Sequence, residues 1–143
     1  KEWAYWDANE DEKVYGPVLA DSVRPVVDAG LVDLVSETYE VCTEVCLEPT
    51  PGHTPGHISV HIRSGEEEAL ITGDCIHHPV QMTRTDWCSS ADYDQEQGQV
   101  TREGLLEKYV DQDILIIGTH FATPTAGHIK HLQSGGYWLD VES

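Results

Sequence analysis

The spacing of hydrophobic positions changes several times along this chain, and each change predicts an element. Within residues 1–16, Trp3 and Trp6 recur at i, i+3, a short amphipathic helix that runs into an acidic turn. Val18, Leu19, Val23, Val26 and Val27 keep helical spacing, with Pro25 limiting the regularity and Gly30 as the stop. Residues 31–50 switch to a β-rich composition and predict two strands or one long bent strand. In residues 57–64, Ile58, Val60 and Ile62 alternate with His57, Ser59, His61 and Arg63, the pattern of a half-buried strand. "ALITGD" is a short apolar strand ending on Asp74. A helical pattern begins near Thr101, and "DILIIGTH" reads as a fully buried strand running up to His120. "AGHIKHLQSGGYWLDV" predicts a hairpin turning at Ser134-Gly135-Gly136. No repeat or low-complexity segment appears.

Length and charge narrow the classes. At 143 residues the chain reads as one domain, 1–143, large enough for a real core. Twenty-six acidic residues against eight basic ones leave a formal charge of −18, which makes nucleic acid and anionic membranes poor partners. The acid is spread through "NEDEK", "GEEE" and "DYDQEQ" and reads as a solvated, self-repelling surface, with Asp92, Tyr93 and Asp94 in a solvated loop. No apolar span of about 18 residues or signal peptide is visible, so the expected location is cytoplasmic unless a leader was removed ahead of Lys1. Cys42 and Cys46 are four apart in a strand-like run and should share one face. With Val41, Val45 and Leu47 beside them, they read as buried small hydrophobes, not disulfide or metal cysteines.

"PTPGHTPGH", residues 49–57, cannot be an interior helix or a central strand. Its glycines allow close backbone approach and its prolines stiffen the loop, which aims His53, with His57 close behind. A regularity then ties this loop to two others. His53, Asp74 and His120 each sit just past an apolar strand, and strand ends on one sheet edge can converge. Imidazole, carboxylate and imidazole suit zinc or iron at neutral pH.

"TPGHTPGH", "ITGD" and "IIGTHF" resemble, in order, the third to fifth metal motifs of the metallo-β-lactamase superfamily. "TGDCIHHPVQ" and "GTHFATPTAGHI" look closest to its lactonase- and organophosphate-hydrolase-like branch. The resemblance implies an α/β (α+β) fold: half of an αββα sandwich, one mixed sheet with helices on its outer face. It implies that His53 ligates a first metal, that Asp74 bridges two metals and is the catalytic carboxylate, and that His120 ligates the second. His77 and His78 fall beside the substrate pocket, and His57 orients the loop by hydrogen bonding behind the ligands. The HxHxDH signature, which supplies four further ligands, is absent. The expectation is therefore a truncated or incomplete hydrolase of lactones, esters or phosphotriesters, with little activity alone. It should hold at most one zinc (or iron or manganese) per chain, weakly, and pair with a second copy or with a missing N-terminal half. The alternative is a non-catalytic oligomeric binding or structural module that kept the half-fold.

Overall fold

The computed structural model describes residues 1–9 and 17–142, so the expected acidic turn over residues 10–16 lies outside the described residues. Helix α1 (Glu2–Ala8) is followed by a π-helical turn, Leu19–Val23, that leads into α2 (Arg24–Asp28). The irregularity falls where Pro25 enters the first turn of α2, a position at which its missing N–H is tolerated. The strands are β1 (Glu40–Cys42), β2 (Val45–Pro49), β3 (Ile58–Ser64), β4 (Glu67–Ile71), β5 (Ile114–Ile117), β6 (Ala126–His131) and β7 (Tyr137–Asp140). Between β4 and β5 lie a 3₁₀ turn (Gly73–Cys75), α3 (Val80–Thr83) and α4 (Gln95–Tyr109). The expected α/β architecture, one mixed sheet with helices, is present.

The seven strands lie in sequence order, antiparallel except for the parallel pair β4–β5. Two antiparallel steps from β2 to β4 and a parallel step to β5 leave β2, β4 and β5 running the same way. Their C-terminal ends therefore share one sheet edge, and from that edge come the loops bearing His53, Asp74 and His120.

Helix α4 begins at Gln95, not near Thr101, because Asp94 accepts a hydrogen bond from the Gln97 N–H (2.9 Å) and caps it. Gly98 hides this first turn from a periodicity reading. It is there for packing: a Cβ on Gly52 would lie 2.3 Å from Gly98 Cα, so loop and helix meet backbone to backbone. The glycine in the histidine loop thus seats a helix. Leu105, Leu106 and Tyr109 of α4 join Leu70, Ile114, Ile116, Ile129 and Leu139 of the sheet in the core. Arg102, only 1% exposed, donates to the carbonyls of Cys75 (2.8 Å), Thr85 and Trp87, tying α4 to the loops that precede it.

Several local expectations change. Ser59 and His61 are the buried residues of β3, while Ile58, Val60 and Ile62 are only half-buried. The polar face can be buried because its atoms are partnered: Ser59 Oγ donates to Thr72 O (3.0 Å), and His61 Nε2 lies 2.8 Å from Glu68 Oε2. The isoleucine face continues through Leu115, 37% exposed, so β5 is not fully buried. Cys42 is exposed and Cys46 half-buried, since they lie on opposite strands of a hairpin; Cys75 is the buried thiol, its pKa pushed by burial up to about 12. The C-terminal hairpin turns at the Ser134–Gly136 segment that the sequence marked.

Candidate metal centre

Asp74 stands in the 3₁₀ turn that follows β4, placed there by two contacts of its neighbours. Gly73 adopts φ +56°, and a Cβ at that position would approach His57 Nε2 to 2.8 Å. Only glycine suits both the left-handed backbone and the imidazole packed on it. His57 Nε2 in turn accepts the Asp74 N–H at 2.9 Å, which leaves Nδ1 as the protonated nitrogen, donating to Thr50 O at 3.0 Å. Burial lowers the pKa of His57, so this neutral tautomer holds the turn.

The Asp74 carboxylate lies between two imidazoles: Oδ2 is 3.3 Å from His53 Nε2, and Oδ1 is 3.0 Å from His120 Nε2. His53 Nδ1 lies 3.0 Å from Asp92 Oδ1, and Asp92 Oδ2 accepts from the Ser89 N–H (2.9 Å). With Nδ1–H donated to Asp92, a neutral His53 turns its Nε2 lone pair toward the Asp74 oxygen. Two lone pairs at that distance repel unless a cation, either a proton or a metal ion, sits between them. Donor type and geometry therefore fit a divalent metal. His120 is 52% exposed at its side chain, so the cluster opens to solvent on that side.

His77 packs against both histidines, with ring centroids 4.9 Å from His53 and 5.3 Å from His120. Burial, with His53 adding to it, lowers its pKa and keeps it neutral. His78 stands apart, exposed, its Nδ1 accepting the Val80 N–H at 3.1 Å. Among the described residues, two donor groups gather within 4.8 Å: His53, His77 and Asp92, and Asp74, His77 and His120.

Asp92 departs most from the sequence reading. Its carboxylate is 2% exposed and braces His53, although its neighbours Tyr93 and Asp94 are exposed. Nothing in "DYDQEQ" marks it, because its partner is 39 residues away and the local composition is that of a solvated loop.

A mixed sheet that gathers histidines and an aspartate at the C-terminal ends of its strands defines an α/β protein with a candidate metal-binding cluster. The chain belongs to the metallo-β-lactamase superfamily: the family model described as "Metallo-beta-lactamase superfamily" matches residues 1–120. Among solved structures, it is similar to AidC, a dizinc quorum-quenching lactonase, at 22% identity and a TM-score of 0.75, covering 100% of this chain and 53% of that one. The hydrolase AbOPH of the β-lactamase superfamily gives 22% identity and a TM-score of 0.75, covering 98% of this chain and 48% of AbOPH. An N-acyl homoserine lactone hydrolase, solved with N-hexanoyl-L-homoserine product at its catalytic metal centre, gives 25% identity and a TM-score of 0.54 over 64% of this chain and 36% of that one. The chain thus spans about half the length of the first two. No curated protein matches it. No helix of the described residues is long and apolar enough to cross a membrane.

Proposed function

We propose that this chain is the metal-binding half of a hydrolase acting on lactones, esters or phosphotriesters, with little turnover by itself. The observation that carries the reading is the Asp74 carboxylate facing His53 Nε2 and His120 Nε2, one on each oxygen. A divalent ion bound there (zinc, or iron or manganese) would lower the pKa of water toward ~7 and polarise the scissile bond. Asp74 would hold it together with His53 on one oxygen or His120 on the other, while His57 sets the Asp74 backbone and Asp92 would keep the His53 lone pair aimed inward. His77 and His78 face the substrate side in this reading, and the exposed flank at His120 is the way in. Similar structures, a lactonase and a homoserine lactone hydrolase among them, support the substrate class.

Incompleteness follows from ligand count. By the three recognised motifs alone, two metals about 3.5–4 Å apart would find one shared aspartate and one histidine each here, where a catalytic zinc keeps three protein ligands. At most one metal per chain is expected, weakly held. The half-buried isoleucine face of β3 is the natural seat for a second sheet, from another copy or from a first half carrying HxHxDH.

The test is hydrolysis of a lactone, an aryl ester and a phosphotriester by the chain with Zn(II), alone and mixed with a separately produced first half. Negligible turnover alone, restored in the mixture and dependent on His53 and Asp74, is the expected result. Robust turnover alone, abolished by Asp74→Ala, would overturn the incompleteness. Absence of both metal uptake and restored turnover would overturn the hydrolase reading and leave a binding or structural module.

A further inference from the structure

The geometry points to His77 as a third protein ligand which, with Asp74 and His120, lets this chain by itself hold one divalent metal ion. The inference rests on the hydrolase reading for Asp74 and His120 and adds a residue that belongs to none of the three recognised motifs. One ligand atom from each of these residues lies within 4.8 Å of the others. In a tetrahedral zinc shell with ligands at about 2.0–2.1 Å the donors stand roughly 3.3 Å apart. Closing the group therefore takes side-chain movements of about an ångström, within the reach of small χ adjustments.

Three further observations single out His77. Its Nδ1 is the buried side-chain nitrogen or oxygen without a hydrogen-bond partner among the described residues. An unsatisfied buried polar atom is costly and calls for an explanation, a missing ion among them. The residue is also held in place: Gln81, 5% exposed, accepts the His77 N–H with Oε1 (2.7 Å), while its Nε2 donates to Trp87 O (2.7 Å). Finally, the His77 and His120 rings are nearly parallel, 18° apart, although they come from loops after different strands.

The competing group, His53, His77 and Asp92, is less suited. Asp92 already takes the His53 Nδ1–H on one oxygen and the Ser89 N–H on the other. Its carboxylate is engaged in bracing His53. Among the described residues the Asp74 oxygens have no such claim on them beyond the two imidazoles, and three donors would leave a tetrahedral shell one open position. The second metal position stays short of ligands, so the low turnover expected of the chain alone is unchanged.

The test is Zn(II) affinity of the metal-stripped chain, measured by competition with a chromogenic chelator, with Co(II) visible absorption reporting coordination number. The wild type should bind one ion with the strong absorption of a four-coordinate site. His77→Ala should weaken Zn(II) binding at least tenfold and reduce the Co(II) band, while His131→Ala, a remote surface change, alters neither. Zn(II) should also shift the His77 ring nitrogen signals in the NMR spectrum of the unaltered protein, a readout that does not require the variant to fold. If Asp74→Ala loses the metal but His77→Ala does not and the His77 ring signals stay put, the inference is overturned and the hydrolase reading stands. If Asp74→Ala and His120→Ala also bind as the wild type does, the reading beneath it falls as well.

Discussion

Asp92 decides which nitrogen His53 offers to the cluster. The carboxylate accepts from Nδ1, so that a neutral ring offers the Nε2 lone pair toward Asp74. Carboxylates behind ligating histidines commonly sustain metal affinity by such contacts. Asp92→Ala should therefore lower Zn(II) affinity at the His53 position, measured with a first half present, about 10–100-fold while the circular dichroism of the fold is kept, and Asp92→Asn should lose less because the amide oxygen still accepts. Equal affinity in all three proteins would show that His53 needs no brace. The same residue shows the limit of local reading, since a buried carboxylate and two exposed neighbours look alike in "ADYDQ".

Helix α4 holds the far side of the core, and its last residue carries a titration. Tyr109 Oη donates to Glu48 Oε2 at 2.5 Å across to β2, and its pKa is pushed up to about 12, by burial first and then by Glu48. The folded chain thus keeps a proton that the unfolded chain, near 10.0, gives up. The corresponding stability is fully present below pH 10.0 and is lost as pH rises from there toward 12. The urea midpoint of the wild type should fall over that range, and more steeply than that of Tyr109→Phe. Parallel declines would mean that Tyr109 does not couple folding to alkaline pH. The pattern "LLEKY" announced a helix, but its earlier start and its partner on β2 came from Asp94 and from a contact between distant elements.

For the whole molecule, charge and apolar surface pull in opposite directions. Eighteen net negative charges repel across a small surface, while Val60, Ile62, Ile71 and Ile117 are half-buried and Leu115 and Trp138 are 37% and 41% exposed. In the proposed assembly these side chains are the ones a second sheet would cover. If copies pair as proposed, screening should favour their association, since the Debye length falls from ~10 Å at 0.1 M to ~3 Å at 1 M salt. Melting temperature and light-scattering mass should both rise with NaCl over that range. A flat melting temperature with a monomer throughout would show that the acids are already balanced and that the face needs no cover.

What the sequence determined was local. The apolar runs before His53, Asp74 and His120, the hairpin at Ser134–Gly136 and the lower part of α4 were legible because strand period, turn residues and helical spacing act over a few residues. That the three strand ends share an edge could be expected, but it takes the parallel β4–β5 pairing to make it so. Tertiary structure alone decided that β3 buries Ser59 and His61 and leaves its isoleucines half-covered, that Asp92 lies beneath His53, and that His77 packs between two ligand candidates. The reason is physical: a polar side chain is buried where distant partners satisfy its hydrogen bonds, and those partners are brought together only by folding.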